Sequence, residues 1–398
     1  MTATPVQRRR PKDRRQSIEA AAAELFAERG FAGTGVADIA AEVGITPGAI
    51  YRHFSSKEDL LEHIVLGSLS RIGDVVDAAT AEPAASSEAR VRALIAAMLD
   101  IAQADRAFVA TYLKERRRLT DSALSRRQAA ERDVVGRVAA LVAEAVPGVT
   151  PLDAAMRLRA LNGTLTSVAT RRQTVPWARL RVLFQDALAT VLLAPADRPA
   201  SPAQHPPRQW SPPRSRREEI LEAASRLFRQ YGYHGVGIDE IGEAAGIAGP
   251  TVYGNYAGKA DILVDAVDRA IATVEVLTSR ALEDAGSALE ALQLFARFFA
   301  ETVMGNLDIV VVATREIGAL PEADRARVGR TQTDFRQRWA AVLGELRPDL
   351  TQPEARALLA ASFGMVEEIA IERRQGEPST DSIADLMLRF LLGGTADD

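Results

Sequence analysis

Side chains suited to contact nucleic acid are concentrated in one short segment of the sequence. Gly48 and Ala49 are small enough to let a backbone approach base edges and a thymine methyl group closely. Arg52 offers a guanidinium fork for guanine or phosphate, and its neighbours carry donors suited to phosphate oxygens. The candidate contact residues of this first segment are Thr34, Thr46, Gly48, Ala49, Tyr51, Arg52, His53 and Lys57. The alternative is a solvated face for the polar members and core packing for Tyr51, and we assign the adjacent Phe54 to the core.

Other kinds of chemical site are not indicated by the composition. The 398 residues include no Cys, which excludes disulfides, thiol catalysis and Cys-ligated metals, and only four His, no two at a metal-ligand spacing. There is no glycine-rich phosphate loop and no His clustered with carboxylates, so we expect no catalytic residue, no metal and no cofactor. The formal net charge is −4, so any nucleic-acid binding must depend on where the cations lie.

The sequence also lacks the signals of membrane and secreted proteins. No apolar run approaches the ~18 residues needed to cross a bilayer, and the basic N-terminus has no apolar stretch after it. Together with the missing Cys, these features predict a cytoplasmic protein with no membrane partner, and the candidate nucleic-acid contacts predict that it is nucleoid-associated.

An internal repeat relates the two halves of the chain. With a shift of 202 positions, residues 15–65 align without a gap on residues 217–267, with 17 identities in 51 positions, four of them glycines. A shift of 201 continues the match more weakly, for example between Gly163 and Gly364, where chance similarity of Ala- and Arg-rich helices is an alternative. The repeat supplies a second set of candidate DNA contacts: Thr251, Tyr253, Asn255, Tyr256 and Lys259.

Hydrophobic spacing predicts helices throughout and no strand, so the expected fold class is all-α. Ile18, Ala22 and Phe26 fall on one helical face, and a short apolar helix from 36 to 43 ends at Gly44. Thr46 then provides an N-cap, followed by proline, for a helix of about seven residues. Two short helices around a glycine-containing turn have helix-turn-helix spacing. Capping patterns predict two further helix starts, at Ser56 with Asp59 and at Ser215 with Glu218.

Basic segments precede both halves of the repeat. They comprise Arg8, Arg9, Arg10, Arg14 and Arg15 in the first half, and Arg214, Arg216 and Arg217 in the second. Such arms lie along phosphates or enter a minor groove, and a disordered tail is the alternative.

The stretch from Gly33 to Leu61 closely resembles the DNA-binding domain of TetR-family transcriptional regulators. The resemblance rests on Ile39-Ala40, Gly44-Ile45, Tyr51-Arg52-His53-Phe54, Lys57 and Asp59-Leu60-Leu61. The second copy is similar through Ile241, Gly246-Ile247, Thr251-Val252-Tyr253, Tyr256, Lys259 and Asp261. The chain therefore resembles the double TetR regulators of actinobacteria, which implies two tandem units, each with a three-helix helix-turn-helix head and a helical ligand-binding and dimerisation body.

This resemblance predicts five segments and an intramolecular pseudo-dimer. They are a first head with its basic arm (1–65), a first body (66–194), a Pro-rich linker (195–213), a second head (214–267) and a second body (268–398). Helical hairpins formed by 152–172 with 177–193, and by 355–373 with 383–392, are expected to pack as one four-helix bundle. Apolar pockets are expected around Phe108, Tyr112, Phe295, Phe298, Phe299 and Met304, with ordinary core packing as the alternative.

The second head departs from the family pattern. Gly254 and Asn255 replace Arg52 and His53, and Gly258 replaces the capping Ser56. The resemblance as a whole implies a sequence-specific, ligand-responsive repressor that binds double-stranded DNA and a small apolar or amphipathic effector. We expect the chain to be a monomeric pseudo-dimer, for which higher assembly on DNA is open. Two unlike heads predict an asymmetric or imperfectly palindromic operator. A helical scaffold with a degenerate second head and, last, an all-α enzyme are the alternatives.

Overall fold

The computed structural model describes residues 11–81, 86–115, 119–171, 174–196, 214–371 and 379–393. Arg8, Arg9, Arg10 and most of the Pro-rich linker lie outside these residues, as do Arg172 and Arg373 at the predicted hairpin ends. Within the described residues the chain is helical and has no strand, which confirms the all-α prediction. None of the described helices is both long and apolar enough to cross a membrane.

The first unit (11–196) contains nine helices among its described residues. They are α1 Pro11–Arg29, α2 Val36–Val43, α3 Pro47–Ile50, α4 Lys57–Thr80, α5 Ser87–Ala104, α6 Arg106–Glu115, α7 Asp121–Ala145, α8 Pro151–Thr170 and α9 Trp177–Leu192. Helices α1 to α4 form the head, with α4 running on into the body.

The second unit (214–393) repeats this order. Its helices are α10 Arg216–Tyr231, α11 Ile238–Ala244, α12 Gly249–Val252, α13 Lys259–Asp284, α14 Ala288–Gly305, α15 Leu307–Arg315, α16 Glu322–Leu346, α17 Gln352–Ile371 and α18 Thr380–Leu392. Helices α14, α16 and α17 begin and end 201 positions after α5, α7 and α8, so the weaker half of the repeat is structural and not chance similarity.

Each head has a small core of its own. In the first, the predicted face of Ile18, Ala22 and Phe26 packs with Ile39 and Phe54, all of them buried. The second head repeats this core, and both cores include side chains of body helices, from α6 in the first unit and from α15 and α16 in the second. The capping predictions are also confirmed: Ser56 accepts from the Asp59 amide at 3.0 Å, and Ser215 forms a capping box with Glu218.

The two bodies share one core. Helices α8 and α17 cross at Gly163 and Gly364, and α9 packs against α18, so the two hairpins form the predicted four-helix bundle. A Cβ on Gly163 would lie 2.5 Å from the Met365 Cα, which shows why the crossing needs glycine. One continuous cluster of buried apolar side chains includes members of both bodies, and it fixes the units relative to each other.

Candidate nucleic-acid interface

A left-handed glycine sets the angle between the two short helices of each head. Gly44 has φ 71°, and the following Ile45 amide donates to the Ala40 carbonyl at 2.9 Å. Gly246 has φ 69°, and Ile247 donates to the Gly242 carbonyl at the same distance. This conformation strains residues that have a Cβ, so the aligned glycines are a requirement of the turn.

The second short helix of the first head is shorter than the sequence predicted. Helix α3 has four residues, not about seven, and continues only as a turn. The His53 amide donates to the Ile50 carbonyl at 2.8 Å, a three-residue bond that tightens the chain before Phe54 enters the core. The exposed part of this helix is therefore one turn and the residues directly after it.

The structure brings most of the first set of candidate residues onto one surface. We call Thr46, Gly48, Ala49, Tyr51, Arg52 and His53 the first face. Tyr51 is 55% exposed, Arg52 is also exposed and has no ion pair with a described residue, and the Thr46 hydroxyl makes no capping bond. Ala49 and His53 are half-buried at its edge.

Thr34 does not belong to this face. Its side chain is 1% exposed, and its hydroxyl lies 2.9 Å from the Gly30 carbonyl and 3.2 Å from that of Leu25. The corresponding residue of the second head, Val236, is buried in the core. Thr34 is thus a core position that closes the loop after α1, and its predicted contact with DNA is withdrawn.

Lys57 lies next to the first face and is held by the protein itself. Its ammonium group donates to the carbonyls of Phe31 and Thr34, each at 2.9 Å, and sits 4.1 Å from the centre of the Phe31 ring. Lys259 repeats these contacts with Tyr233 and Val236, and burial lowers the pKa of its ammonium group. Both lysines therefore fasten the loop before the helix-turn-helix to the start of the next helix.

The second head presents a different surface. We call Thr251, Tyr253, Gly254 and Asn255 the second face; Tyr253 is 59% exposed, and the side chain of Asn255 lies 3.4 Å from the Thr251 carbonyl. Proline occupies the second helical position, one place later than in α3. The two short helices approach closely here, because a Cβ on Gly242 would lie 2.9 Å from the Gly249 Cα.

Tyr256 belongs to the core of the second head and not to its surface. It is 3% exposed, and its hydroxyl lies 2.8 Å from Asp265 Oδ2 and 3.2 Å from the Arg217 carbonyl. Burial and the neighbouring carboxylate raise the pKa of this phenol well above its usual value. Its counterpart Phe54 is buried as predicted, so the prediction that Tyr256 contacts DNA is withdrawn.

The described basic residues of the two arms lie at helix starts. Arg14 and Arg15 are within α1, and the Arg15 guanidinium lies 4.8 Å from the centre of the Phe54 ring. Arg217 lies 4.0 Å from the Tyr256 ring and donates to the Asn255 carbonyl at 2.7 Å. The remaining second-arm residues are ion-paired, Arg214 with Glu222 and Arg216 with Glu219. These contacts fix part of each predicted arm to its own head.

The predicted effector residues have different surroundings in the two bodies. Tyr112 lines a cavity of about 110 Å³ between α4, α5, α6, α7 and α8, which we call the first-body cavity. Phe108 packs against the head core instead, with Arg71 over its ring. In the second body Phe295 and Phe299 are buried among other rings, and Phe298 and Met304 pack against the same core, so this group is core and not a pocket lining.

Comparison with known proteins identifies the repeated unit. The family model "Bacterial regulatory proteins, tetR family" matches residues 18–64 and again 220–266, and the model "Tetracyclin repressor-like, C-terminal domain" matches residues 285–395. Both head matches contain the helix-turn-helix described above. The family models therefore find the same duplication that the sequence repeat indicates.

Curated relatives match over shorter stretches. The HTH-type transcriptional repressor KstR2 of Mycobacterium tuberculosis is 37% identical over 110 residues, which cover 27% of this chain and 52% of KstR2. The HTH-type regulator YxaF of Bacillus subtilis is 34% identical over 82 residues, covering 20% of this chain and 43% of YxaF. The chain thus spans about half the length of the curated relatives it matches.

Solved structures align with single units of the chain. The structure of KstR2 of Mycobacterium tuberculosis covers 47% of this chain and 98% of KstR2, with 22% identity and a TM-score of 0.42. The two family matches to the heads, the match to the second body and the shared helical order agree with one another. The chain belongs to the TetR family of helix-turn-helix transcriptional regulators and carries two tandem units of that family.

Proposed function

We propose that this chain is a ligand-responsive repressor that acts as a single-chain pseudo-dimer and recognises an asymmetric operator with two unlike heads. The observation that carries the proposal is the combination of one continuous core across both bodies with two chemically different faces. In a symmetric homodimer the two faces would be identical and would require a palindromic site. Here Arg52 and His53 on one head correspond to Gly254 and Asn255 on the other.

Each of the predicted segments has its own role in this proposal. Residues 1–65 and 214–267 are the two DNA-binding heads, 66–194 and 268–398 the regulatory bodies, and 195–213 the linker. Arg52 and Tyr51 supply base or phosphate contacts on the first head, and Asn255 supplies an amide suited to adenine on the second. The protein acts on DNA in the cytoplasm, where the nucleoid is accessible to it.

Ligand control is supported by the position of helix α6. Tyr112 of α6 lines the first-body cavity, Thr111 donates to the Ala23 carbonyl of the head at 2.8 Å, and Glu115 accepts from the Phe31 amide at 2.9 Å. A ligand that favours one position of α6 therefore changes the balance between head orientations, provided it binds the two states with different affinity.

The mass of the DNA-free chain tests the pseudo-dimer. Light scattering coupled to size exclusion should give one species near the chain mass of 42.9 kDa over a range of concentrations. A stable species of about 86 kDa would overturn the pseudo-dimer, because the bundle surfaces would then be shared between two chains.

DNA recognition is tested by footprinting on the DNA upstream of the gene, followed by quantitative binding. We expect one chain to protect two unlike half-sites, and Arg52→Ala to weaken binding by about 1–3 kcal/mol if Arg52 contacts a base. Arg92→Ala, which removes an exposed arginine of the body, is the matched control and should bind as the wild type does. Equal affinities for Arg52→Ala and Arg92→Ala would remove Arg52 from the interface.

A further inference from the structure

The first-body cavity has a counterpart in the second body that is filled by aromatic rings. Five wall positions of the cavity correspond, at a shift of 201, to five buried aromatic residues, which we call the aromatic cluster. The pairs are Leu94/Phe295, Met98/Phe299, Val134/Phe335, Val138/Trp339 and Asn162/Phe363. Every pair replaces an aliphatic or amide side chain with a larger ring, and the helices that carry them begin and end in register.

The rings of the aromatic cluster pack closely against one another as a core. The ring centres of Phe295 and Trp339 are 4.0 Å apart, and those of Phe299 and Phe363 are 4.9 Å apart. The indole N–H of Trp339 donates to the Thr278 hydroxyl at 3.2 Å. At the shift of 202 between the starts of α4 and α13, the position equivalent to Thr278 in the first unit is Val76 in the cavity wall. The hydrogen-bond partner of the indole therefore occurs only in the unit that has the tryptophan, as expected for a buried N–H group whose hydrogen bond is satisfied.

The charged groups among the described residues of the first-body cavity wall are both carboxylates, and its neutral polar members are Ser68, Tyr112, Asn162 and Thr166. Glu131 lies in the wall with Tyr112, and Glu368 reaches the wall from α17 of the second unit. No Lys or Arg is among the described wall residues. Arg127 pairs with Glu131, and Arg315 donates to Glu368 Oε2 at 3.2 Å, so both arginines sit behind the carboxylates and are not part of the wall.

This arrangement selects against anions. A carboxylate or phosphate ligand would bring its charge beside two carboxylates in an apolar enclosure, where no described cation faces it. A hydroxyl or ammonium group on an apolar body would instead donate to Glu131 or Glu368 while its carbon atoms contact Met98 and Val138.

We infer that only the first unit binds an effector, that the effector is a small apolar molecule ending in an amine or alcohol, and that Glu368 of the second unit helps to hold that end group. The inference rests on the proposed function for its effect on DNA, since a ligand between α6 and α17 would contact both units. Binding of the ligand itself does not depend on DNA, so the effector site and ligand-responsive repression can be tested, and can fail, separately.

The first experiment compares three probes that share one ring: cyclohexylamine, cyclohexanol and cyclohexanecarboxylate. Calorimetric titration of the full chain should show one amine or alcohol bound per chain, and affinity for the carboxylate about tenfold or more weaker. Two equivalent sites per chain, or tightest binding of the carboxylate, would overturn the inference.

The second experiment converts the cavity toward the aromatic cluster. Met98→Phe and Val138→Trp place the second-body residues in the first body, and both should abolish binding of cyclohexylamine. Val182→Trp, at an exposed position of α9, is the matched control and should bind normally. Met98→Phe adds less volume than the tryptophan, so it serves if Val138→Trp fails to fold, and unchanged amine binding by a folded Met98→Phe chain would contradict the inference.

The third experiment tests the contribution of the second unit. Glu368→Gln should weaken cyclohexylamine binding by about tenfold while affecting cyclohexanol less, because only the amine carries a charge. Glu354→Gln, on the same helix but paired with Arg179 outside the cavity, is the control. Equal amine affinity in both variants would remove Glu368 from the site.

Probe binding without any change in operator affinity would instead count against ligand-responsive repression.

Discussion

At the scale of single residues, Lys57 and Lys259 show how a cation next to an interface can serve the fold. Each ammonium group satisfies two loop carbonyls and lies over an aromatic ring. The Phe31 and Thr34 carbonyls lie outside the helices of the head, so no helical hydrogen bond can replace the lysine there. The loop carries the chain from the first helix to the helix-turn-helix, so its position sets the orientation of the exposed face.

Replacing Lys57 with methionine should destabilise the first head and leave the ionic part of DNA binding intact. The Thr34 carbonyl would lose the lysine donor and the Phe31 carbonyl would keep only the Thr34 amide at 3.3 Å, which together cost about 1–3 kcal/mol of unfolding free energy. Chemical denaturation of the full chain measures this loss, with Arg52→Ala as the control of equal charge change and no expected loss of stability. If Lys57→Met kept its stability and lowered the salt dependence of DNA binding, the lysine would be a phosphate contact instead.

Tyr256 makes the stability of the second head sensitive to alkaline pH. The pKa of its phenol is raised in the folded state by burial and by Asp265, above its unfolded value near 10. Its stabilising contribution is therefore complete below about pH 10 and is lost as the pH rises further, because the unfolded chain then releases a proton that the folded chain retains.

The comparison of Tyr256→Phe with the wild type isolates this contribution. At neutral pH we expect the variant to be less stable by about 1 kcal/mol, through the lost hydrogen bond, and above pH 10 the difference should shrink. Tyr253→Phe, at an exposed ring, should differ from the wild type by the same small amount at both pH values. A difference between wild type and Tyr256→Phe that stays constant up to pH 11 would contradict the assignment.

The repeat itself contained the information needed for two of the corrections. Thr34 aligns with Val236 and Tyr256 with Phe54, and an apolar partner at the equivalent position indicates a core site. The role of Lys57 was not accessible in this way, because both units have lysine there. A lysine at a helix start is the same in sequence whether its ammonium group contacts a carbonyl or a phosphate.

At the scale of elements, the presence of each helix could be predicted from the spacing of its apolar residues, but the length of a helix could not always be predicted in this way. The end of α3 depends on Phe54 entering the core, a tertiary contact that overrides the local preference for a longer helix. The bundle was predictable because Gly163 and Gly364 occur at equivalent positions in two apolar helices. The replacement of the cavity wall by aromatic rings in the second body depends on five side-chain sizes considered together, so no single residue revealed it.

Gly163→Ala tests the crossing of α8 and α17. The added Cβ would lie 2.5 Å from the Met365 Cα, so the helices must separate, and we expect a loss of about 1–3 kcal/mol of unfolding free energy. Gly136→Ala, in α7 with no atom within 4 Å of the new Cβ, should be neutral or stabilise the helix by up to about 1 kcal/mol. Denaturation of both variants makes the comparison, and equal stability would mean that the crossing is not tight.

At the scale of the whole molecule, duplication has let the two units specialise in different parts. The heads differ at their exposed faces, with Arg52 and His53 against Gly254 and Asn255, while their cores agree. The bodies differ in the space between the helices, while the helix order and the bundle agree. A homodimer cannot change one copy without changing the other, whereas a fused chain can.

Exchanging the exposed residues of one head should therefore change which operator is preferred. The double variant Gly254→Arg with Asn255→His gives the second face the two side chains of the first, and both positions are on the surface or at its edge, so the core is unaffected.

The binding experiment offers two duplexes, one with the natural pair of half-sites and one with two copies of the first half-site. The wild type should prefer the natural pair. The double variant should move its preference toward the duplicated site by about 1–3 kcal/mol for each base that the introduced arginine or histidine newly contacts, the range expected for a single base-specific hydrogen-bonded pair. Arg52→Gly with His53→Asn is the reciprocal variant and should favour two copies of the second half-site. If neither variant changed the order of preference, the two heads would not recognise sequence through these residues, and the asymmetry of the faces would have no counterpart in the DNA.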